Sequence, residues 1–138
     1  MKRSLPEALI RKVDCLQIPV PDIASGLAFY RDCLGHELLW RTETSAGLRM
    51  PDTDAEIVIQ TERQDMEATL LVASADQAAS RIVQAGGSVL VQPFDIQIGR
   101  CAVVRDPWGN RLVLLDMSKG ELVTDASGNI VGNARPGA

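Results

Sequence analysis

The strongest constraint on the fold is an internal repeat of one strand and helix pattern. Residues 13–20 alternate between apolar and polar side chains, as a half-buried strand does. A helix follows from Asp22, which can cap its first turn, and ends at Gly35. The same order returns 54 residues later, where Asp76 takes the place of Asp22. The pattern predicts two copies of one folding unit in a single chain.

Each copy continues with three more strands. Strand-type segments occupy residues 37–42, 47–50 and 56–61 after the first helix, and 88–92, 100–105 and 111–115 after the second helix, which is predicted over 76–85. The last strands match at an offset of 55, which makes Val58 equivalent to Val113. The predicted fold class is therefore α+β, with two βαβββ modules. The predicted organisation is an N-terminal extension (1–12), two modules (13–62 and 66–116) and a C-terminal tail (117–138) whose hairpin would cover a sheet edge or a subunit interface.

Composition narrows the class of protein and of partner. A chain of 138 residues with 46% apolar residues can bury a core without a disulfide or a structural metal. Its net charge of −4 argues against nucleic acid as a partner and weakly favours a neutral or cationic ligand. No apolar run is long enough for a membrane span, and Cys15, Cys33 and Cys101 lack the spacing of a redox motif. We therefore expect a cytoplasmic protein with free thiols and a small-molecule partner.

Strand parity assigns the side chains to two faces of the predicted sheet. One face is apolar and would pack against the helices. The other mixes apolar and polar side chains, as small-molecule sites do, although a subunit interface fits such a face equally well. The residues predicted to contact a ligand are Cys15, Gln17, Glu56, Val58, Gln60, Thr69, Arg111, Val113 and Leu115, with Trp40 as an aromatic wall.

Short motifs in both halves resemble those of one protein family. They are Val-Pro-Asp-Ile at 20–23, Ala-Phe-Tyr at 28–30, Cys-Leu-Gly at 33–35, Ala-Gly-Gly at 85–87 and Asp-Pro-Trp-Gly-Asn-Arg-Leu at 106–112. Over residues 13–116 the chain is similar to the vicinal oxygen chelate superfamily, which includes glyoxalases, extradiol dioxygenases and bleomycin resistance proteins. The resemblance implies an eight-stranded, incompletely closed barrel with a concave cup, commonly in a homodimer.

The resemblance also implies where a metal ion would bind. Metal-using members place His, Gln or Glu on the first and last strands of each module, and the corresponding positions here are Cys15, Val58, Thr69 and Val113. Valine offers no lone pair, whereas a catalytic zinc site needs three protein ligands. We therefore expect no metal cofactor and reversible binding of a small organic molecule, as in the members that resemble bleomycin resistance proteins.

Two other functions stay open at this point. Gln17, Glu56 and Gln60 could surround a weakly bound cation together with Cys15, which would give a metal-dependent lyase, isomerase or dioxygenase with an atypical ligand set. Alternatively, the cup could be closed by a partner chain, which would make the protein an interaction module. The sequence assigns no catalytic residue.

Four side chains need a separate interpretation, including Arg111, which is already among the predicted ligand contacts. His36, the single histidine, is interpreted as a turn residue because it follows the glycine that ends the first helix. Trp108 is interpreted as a cover for the turn that contains it. Arg100 and Arg111 could hold a carboxylate between them if both reached the cup.

Overall fold

The computed structural model describes residues 7–134, so residues 1–6 of the predicted extension and 135–138 of the tail lie outside it. The first module contains β1 (Lys12–Pro19), α1 (Ile23–Leu27) with a π-helical turn (Ala28–Cys33), β2 (Leu38–Arg41), β3 (Ser45–Arg49) and β4 (Glu56–Gln60). The second contains β5 (Glu67–Leu71), α2 (Ala75–Gln84), β6 (Ser88–Ile96), β7 (Gly99–Arg105) and β8 (Arg111–Leu115). The tail adds β9 (Leu122–Thr124) and β10 (Ile130–Asn133).

The eight strands of the two modules form one mixed sheet in the order β2-β3-β4-β1-β5-β8-β7-β6. Each module pairs its first and last strands in parallel, β1 with β4 and β5 with β8. The modules meet where β1 and β5 run antiparallel. This arrangement confirms the predicted α+β fold with two βαβββ modules, and the sheet remains open, with β2 and β6 at its edges.

The register of the sheet corrects the predicted equivalence of the last strands. Cys15 pairs with Glu56, and its repeat equivalent Thr69 pairs with Val113. Glu56 is therefore the equivalent of Val113, at an offset of 57 residues, and the predicted match of Val58 to Val113 was wrong. A shift of two residues keeps every side chain on its face, so apolar patterning alone does not detect it.

The first helix begins as predicted, but its second half differs from a regular α-helix. The Asp22 carboxylate accepts a hydrogen bond of 2.7 Å from the Ser25 amide and caps α1. After Leu27 the helix widens into the π-helical turn, in which hydrogen bonds span five residues instead of four. Leu34, which follows this turn, is 53% exposed.

The second helix begins one residue earlier than predicted. The Ser74 hydroxyl, rather than the carboxylate of Asp76, accepts from the Gln77 amide at 3.2 Å and caps α2. Val83, near the end of the helix, is 51% exposed. The buried face of α2 consists of small side chains, namely Ala75, Ala78 and Ala79.

Two apolar clusters lie between the helices and one face of the sheet. Ile57 and Ile59 pack beneath α1, whereas Val104 and Leu114 pack with Val72 beneath α2. This is the face that strand parity assigns to the helices, so the opposite face is left without a helical cover. Within residues 7–134 no helix has the length and apolar character needed to cross a membrane.

The tail forms the predicted hairpin, and its turn repeats that of residues 106–110. Each turn has the pattern Asp-x-x-Gly-Asn, in which the aspartate accepts two backbone hydrogen bonds from within the turn. The glycines adopt φ values of +90° at Gly109 and +87° at Gly128, which favour glycine. Since Asp106 holds its turn and Trp108 is 84% exposed, the interpretation of Trp108 as a cover was wrong.

The hairpin contacts both ends of the open sheet. The Arg41 amide on β2 donates to the Gly128 carbonyl at 2.8 Å. At the turn between β6 and β7, the Asn133 side chain donates to the Gln97 carbonyl at 2.6 Å. The hairpin therefore covers part of the β2 edge, which is one of the two roles predicted for it. A cavity of about 690 Å³ lies between the hairpin, β2 and Gln97.

Candidate functional site

Four residues form one row across the four central strands of the concave face, which we call the cup. Register places Glu56 of β4 beside Cys15 of β1, Cys15 beside Thr69 of β5, and Thr69 beside Val113 of β8. Glu56 is half-buried and the other three are buried. These residues, the central row, hold the positions at which the family resemblance implies metal ligands, with Glu56 in place of Val58.

Cys15 is a protonated thiol at neutral pH. Burial raises its pKa to about 12, and the nearby carboxylates of Asp14 and Glu56 contribute to the shift, whereas a hydrogen bond with Thr69 opposes it. Asp14 is close to the thiol because the register of β1 shifts between Val13 and Cys15. Because the thiolate is the form that attacks substrates, the raised pKa makes Cys15 a poor nucleophile at neutral pH.

Glu56 is held by Trp40. The indole Nε1 of Trp40 donates a hydrogen bond of 2.6 Å to Glu56 Oε1. Burial raises the pKa of Glu56; the bond from Trp40 opposes this shift and the charge of Asp14 adds to it. Trp40 lies over β3 because Gly47 has no side chain, since a Cβ at Gly47 would lie 2.0 Å from the indole nitrogen. The structure thus places Trp40 and Glu56 together in the cup.

We expect Gly47→Ala to displace Trp40 and to lower the free energy of unfolding by about 1–3 kcal/mol, because the added methyl overlaps the indole and breaks its bond to Glu56. Urea denaturation measures the loss, and a red shift of Trp40 emission reports the displacement. Gly132→Ala is the matched control, because no atom lies within 4 Å of its added Cβ. Equal stability of the two variants would contradict the assignment.

A second row, two residues along the strands, carries the charged groups of the cup. The guanidinium of Arg63 donates to the Gln17 side chain, and its Nε lies 3.2 Å from Glu67 Oε1. Arg111 forms an ion pair with the same carboxylate. Gln17 also donates to the Thr69 hydroxyl at 3.3 Å. We call Gln17, Arg63, Glu67 and Arg111 the arginine cluster.

Arg63 and Glu67 were missed by the sequence analysis. Arg63 lies in the loop between β4 and β5, where no periodic pattern indicates a side-chain direction. Glu67 lies two residues before Thr69 on β5, so it shares the parity of Thr69 and could have been found by following the repeated strand two residues further towards the N-terminus.

The other predicted contact residues lie on the floor of the cup or hold its loop. Val58 and Leu115 are buried side chains of the floor. Gln60 is also buried, but its amide donates to the Arg63 carbonyl at 3.0 Å and accepts from the Glu62 and Arg63 amides at 2.7 Å each. Gln60 therefore fixes the loop that carries Arg63.

Two further candidates lie away from the cup. Arg100 binds Asp76 and Asp95 at the end of the β7–β8 pair opposite Arg111, so the carboxylate clamp considered for these two arginines was wrong. His36 Nδ1 lies 2.9 Å from the Arg49 carbonyl in the segment before β2, in keeping with its interpretation as a turn residue.

The central row does not fit a catalytic metal ion. It offers one carboxylate already bonded to Trp40, a protonated thiol, a hydroxyl bonded to Gln17, and a valine. No group of three His, Cys, Asp or Glu side chains within residues 7–134 could hold a metal ion. The alternative set around Cys15 is not assembled either, because Gln60 is bonded to its loop.

The cup is covered by its own long side chains. Its floor residues Cys15, Val58, Thr69 and Val113 are each less than 9% exposed. Trp40 reaches across β3 to β4, and Arg63 reaches to β1 and β5. The cavity beside the hairpin and another of about 530 Å³ near the start of β1 are lined by other residues. Entry of a ligand to the floor therefore requires one of the covering side chains to move.

Comparison with solved structures places the fold among known ones. Methylmalonyl-CoA epimerase from Mycobacterium tuberculosis superposes with a TM-score of 0.68 at 17% identity, over 82% of this chain and 92% of that chain. A variant of the methylmalonyl-CoA epimerase from Streptomyces coelicolor gives a TM-score of 0.65 at 21% identity, over 79% of this chain and 99% of that chain. Homoprotocatechuate 2,3-dioxygenase from B. fuscum gives 0.59 at 20% identity, over 81% of this chain and 34% of that one.

Comparison at the level of sequence gives the family. No curated protein matches the chain in sequence. The family model described as the glyoxalase/bleomycin resistance protein/dioxygenase superfamily matches residues 12–114, which span both modules from β1 into β8. At the identities of the solved structures, their likeness establishes the fold alone. The match over most of the chain and the shared fold show that this protein belongs to the glyoxalase/bleomycin resistance protein/dioxygenase superfamily.

Proposed function

We propose that the protein binds a small organic molecule in the cup without the help of a metal ion. The observation that carries this proposal is the composition of the central row, which supplies one carboxylate but neither the second nor the third ligand that a catalytic zinc ion requires. A homodimer, as the family resemblance implies, and a cytoplasmic location, as the composition leads us to expect, belong to the same proposal.

The cup offers the groups that a small-molecule site uses. Val58, Val113 and Leu115 provide apolar floor, and Trp40 provides a flat aromatic surface. Burying roughly 200 Å² of indole contributes on the order of 5 kcal/mol at most, at about 25 cal/mol per Å². Association costs at least about 4 kcal/mol, so micromolar affinity requires polar contacts as well. Gln17, Glu56 and Arg111 are placed to supply them.

The alternative function is an enzyme of the glyoxalase or dioxygenase type with an unusual metal site. The solved structures with a similar fold include methylmalonyl-CoA epimerases and a dioxygenase, so an enzymatic function is the second candidate. The valine of the central row counts against it because valine has no donor atom, and the burial of Cys15 opposes formation of the thiolate that a metal ion would bind. Ligand binding without catalysis requires no metal ion and is therefore the simpler function for these residues.

The test is a measurement of metal content together with ligand binding. Purified protein is expected to contain well under one metal ion per chain by elemental analysis. Trp108→Phe leaves Trp40 as the single tryptophan, and its emission should respond to the same members of a small-molecule library before and after chelator treatment. Trp40→Phe is the control, because the exposed Trp108 should not respond. One metal ion per chain, or a Trp40 response that is lost after chelator treatment, would contradict the proposal.

A further inference from the structure

We propose that the ligand of the cup is a small organic carboxylate whose anionic group is held by Arg63 and Arg111. This inference rests on the proposed function and narrows it to one class of molecule. It is carried by the arginine cluster, in which two guanidinium groups share a single carboxylate.

The arginine cluster has an excess of one positive charge. Arg63 and Arg111 both pair with Glu67, whose side chain is 11% exposed, whereas theirs are 39% and 45% exposed. Each guanidinium has five donor N–H groups in a planar fork that matches the geometry of a carboxylate. Glu67 and the Gln17 side chain occupy only part of this capacity, and Glu67 balances only one of the two positive charges, so the arginine cluster matches a ligand with one negative charge.

Arg63 Nε is paired with Glu67 by charge rather than by a well-formed hydrogen bond. The atom is buried and lies 3.2 Å from Glu67 Oε1, but the contact does not form a hydrogen bond. Glu67 therefore does not use the forked donor geometry that a guanidinium offers to a carboxylate.

Arg63 lies over the cup rather than at its rim. Its guanidinium contacts Gln17 on β1 and Glu67 on β5, two central strands. Its charge also reaches β7: burial raises the pKa of Cys101, and the positive charge of Arg63 opposes that rise. A carboxylate bound to Arg63 would thus enter the cup itself.

The spacing of the two rows places the rest of the ligand on the apolar floor. Two residues along a strand span about 7 Å, which is the length of a small ring. With its carboxylate at Arg63 and Arg111, such a molecule would cover Val113 and Val58 and extend towards Trp40.

The other acidic groups of the cup lie outside the arginine cluster. Glu56 is bonded to Trp40 and pairs with Cys15 rather than with Gln17, one row away from the arginine cluster. Burial raises the pKa values of both Glu56 and Asp14. The chain's net charge of −4 weakly favours a neutral or cationic ligand, but the two arginines lie far closer to the ligand than most of the charges that make up that sum.

The experiment compares a carboxylate with its neutral amide. Equilibrium dialysis of 2-naphthoate and 2-naphthamide, followed by naphthalene absorbance, should show the carboxylate bound at least about tenfold more tightly. Arg63→Gln and Arg111→Gln should each reduce this preference about tenfold and leave amide binding unchanged. Arg63→Lys, which keeps the charge but loses the fork, should fall between the two.

Arg31→Gln is the matched control, because it removes the same charge from the π-helical turn and should change neither affinity. Equal binding of the two probes, or a preference for the carboxylate that survives in both glutamine variants, would overturn the anion inference and leave the proposed function standing. Failure of both probes would overturn the inference, and the Trp40 response to the library would then decide the proposed function separately.

Discussion

Replacing Asp116 by alanine is expected to lower the free energy of unfolding by about 3 kcal/mol or more. Asp116, just after β8, is 3% exposed, and it accepts backbone hydrogen bonds from Ala75 at 2.8 Å and from Arg100 at 2.9 Å. The Ser118 hydroxyl donates to the same carboxylate at 2.7 Å. Each buried donor that loses its acceptor costs about 1–3 kcal/mol. Urea denaturation of both proteins measures the difference.

The effect of Asp116 should depend on pH in a defined direction. Burial opposes ionisation, but the bonds from Ala75, Ser118 and Arg100 outweigh it and lower the pKa of Asp116 below its usual value. A lowered pKa in the folded state stabilises the protein above about pH 4, and this contribution is lost as the pH falls through the folded-state pKa. The stability of the parent should therefore approach that of Asp116→Asn in acid.

Asp52→Asn provides the control for both measurements, because Asp52 is an exposed residue in the loop between β3 and β4. Its stability should match the parent within about 0.5 kcal/mol at every pH. A loss at Asp116 no larger than that at Asp52 would show that the carboxylate does not hold α2 and β7 together.

Replacing Cys15 and Thr69 by histidine together is expected to create a metal site where the parent has too few ligands. With Glu56 the double variant would present three donors in adjacent positions of the central row. Loss of a group that merely orients a metal ligand costs about 10- to 100-fold in affinity, so two new ligands should tighten Co²⁺ binding by at least about a hundredfold. Equilibrium dialysis gives the affinity, and the visible spectrum of Co²⁺ reports tetrahedral coordination.

Cys15→Ser with Thr69→Val is the control for that pair, since it changes the same positions without adding imidazole. It should bind Co²⁺ as weakly as the parent. If the parent already bound Co²⁺ as tightly as the double histidine variant, the argument from missing ligands would be wrong, and the metal-dependent alternative would replace the proposed function.

The fold could be predicted from the sequence because its signals are local. Strand parity, the Asp22 cap and the glycine that ends the first helix depend on neighbouring residues, and the two copies reinforce each other. The wrong predictions arise where the apolar pattern fits two local structures equally well. The two-residue shift between Glu56 and Val58 preserves parity, and the π-helical turn changes the helical period without any marker that the apolar pattern shows.

The site could be predicted only in part. Parity placed Gln17, Glu56 and Thr69 on the same face, and register brings them together with Trp40. Arg63 could not be predicted as a site residue because it lies in a loop. The direction of its side chain depends on contacts such as the hydrogen bonds between Gln60 and the Arg63 backbone, which no periodic pattern indicates. The roles of these residues in binding remain predictions that the carboxylate and amide probes address.

The C-terminal hairpin has a mechanical consequence for the width of the cup. It joins Arg41 on the outermost strand of one module to Gln97 near the outermost strand of the other. If the sheet opened to admit a bulky ligand, both of these hydrogen bonds would break. The hairpin, which is not part of either βαβββ module, therefore links the two modules and resists their separation. Variation in this tail would then tune which sizes of molecule fit, without any change in the residues that touch them.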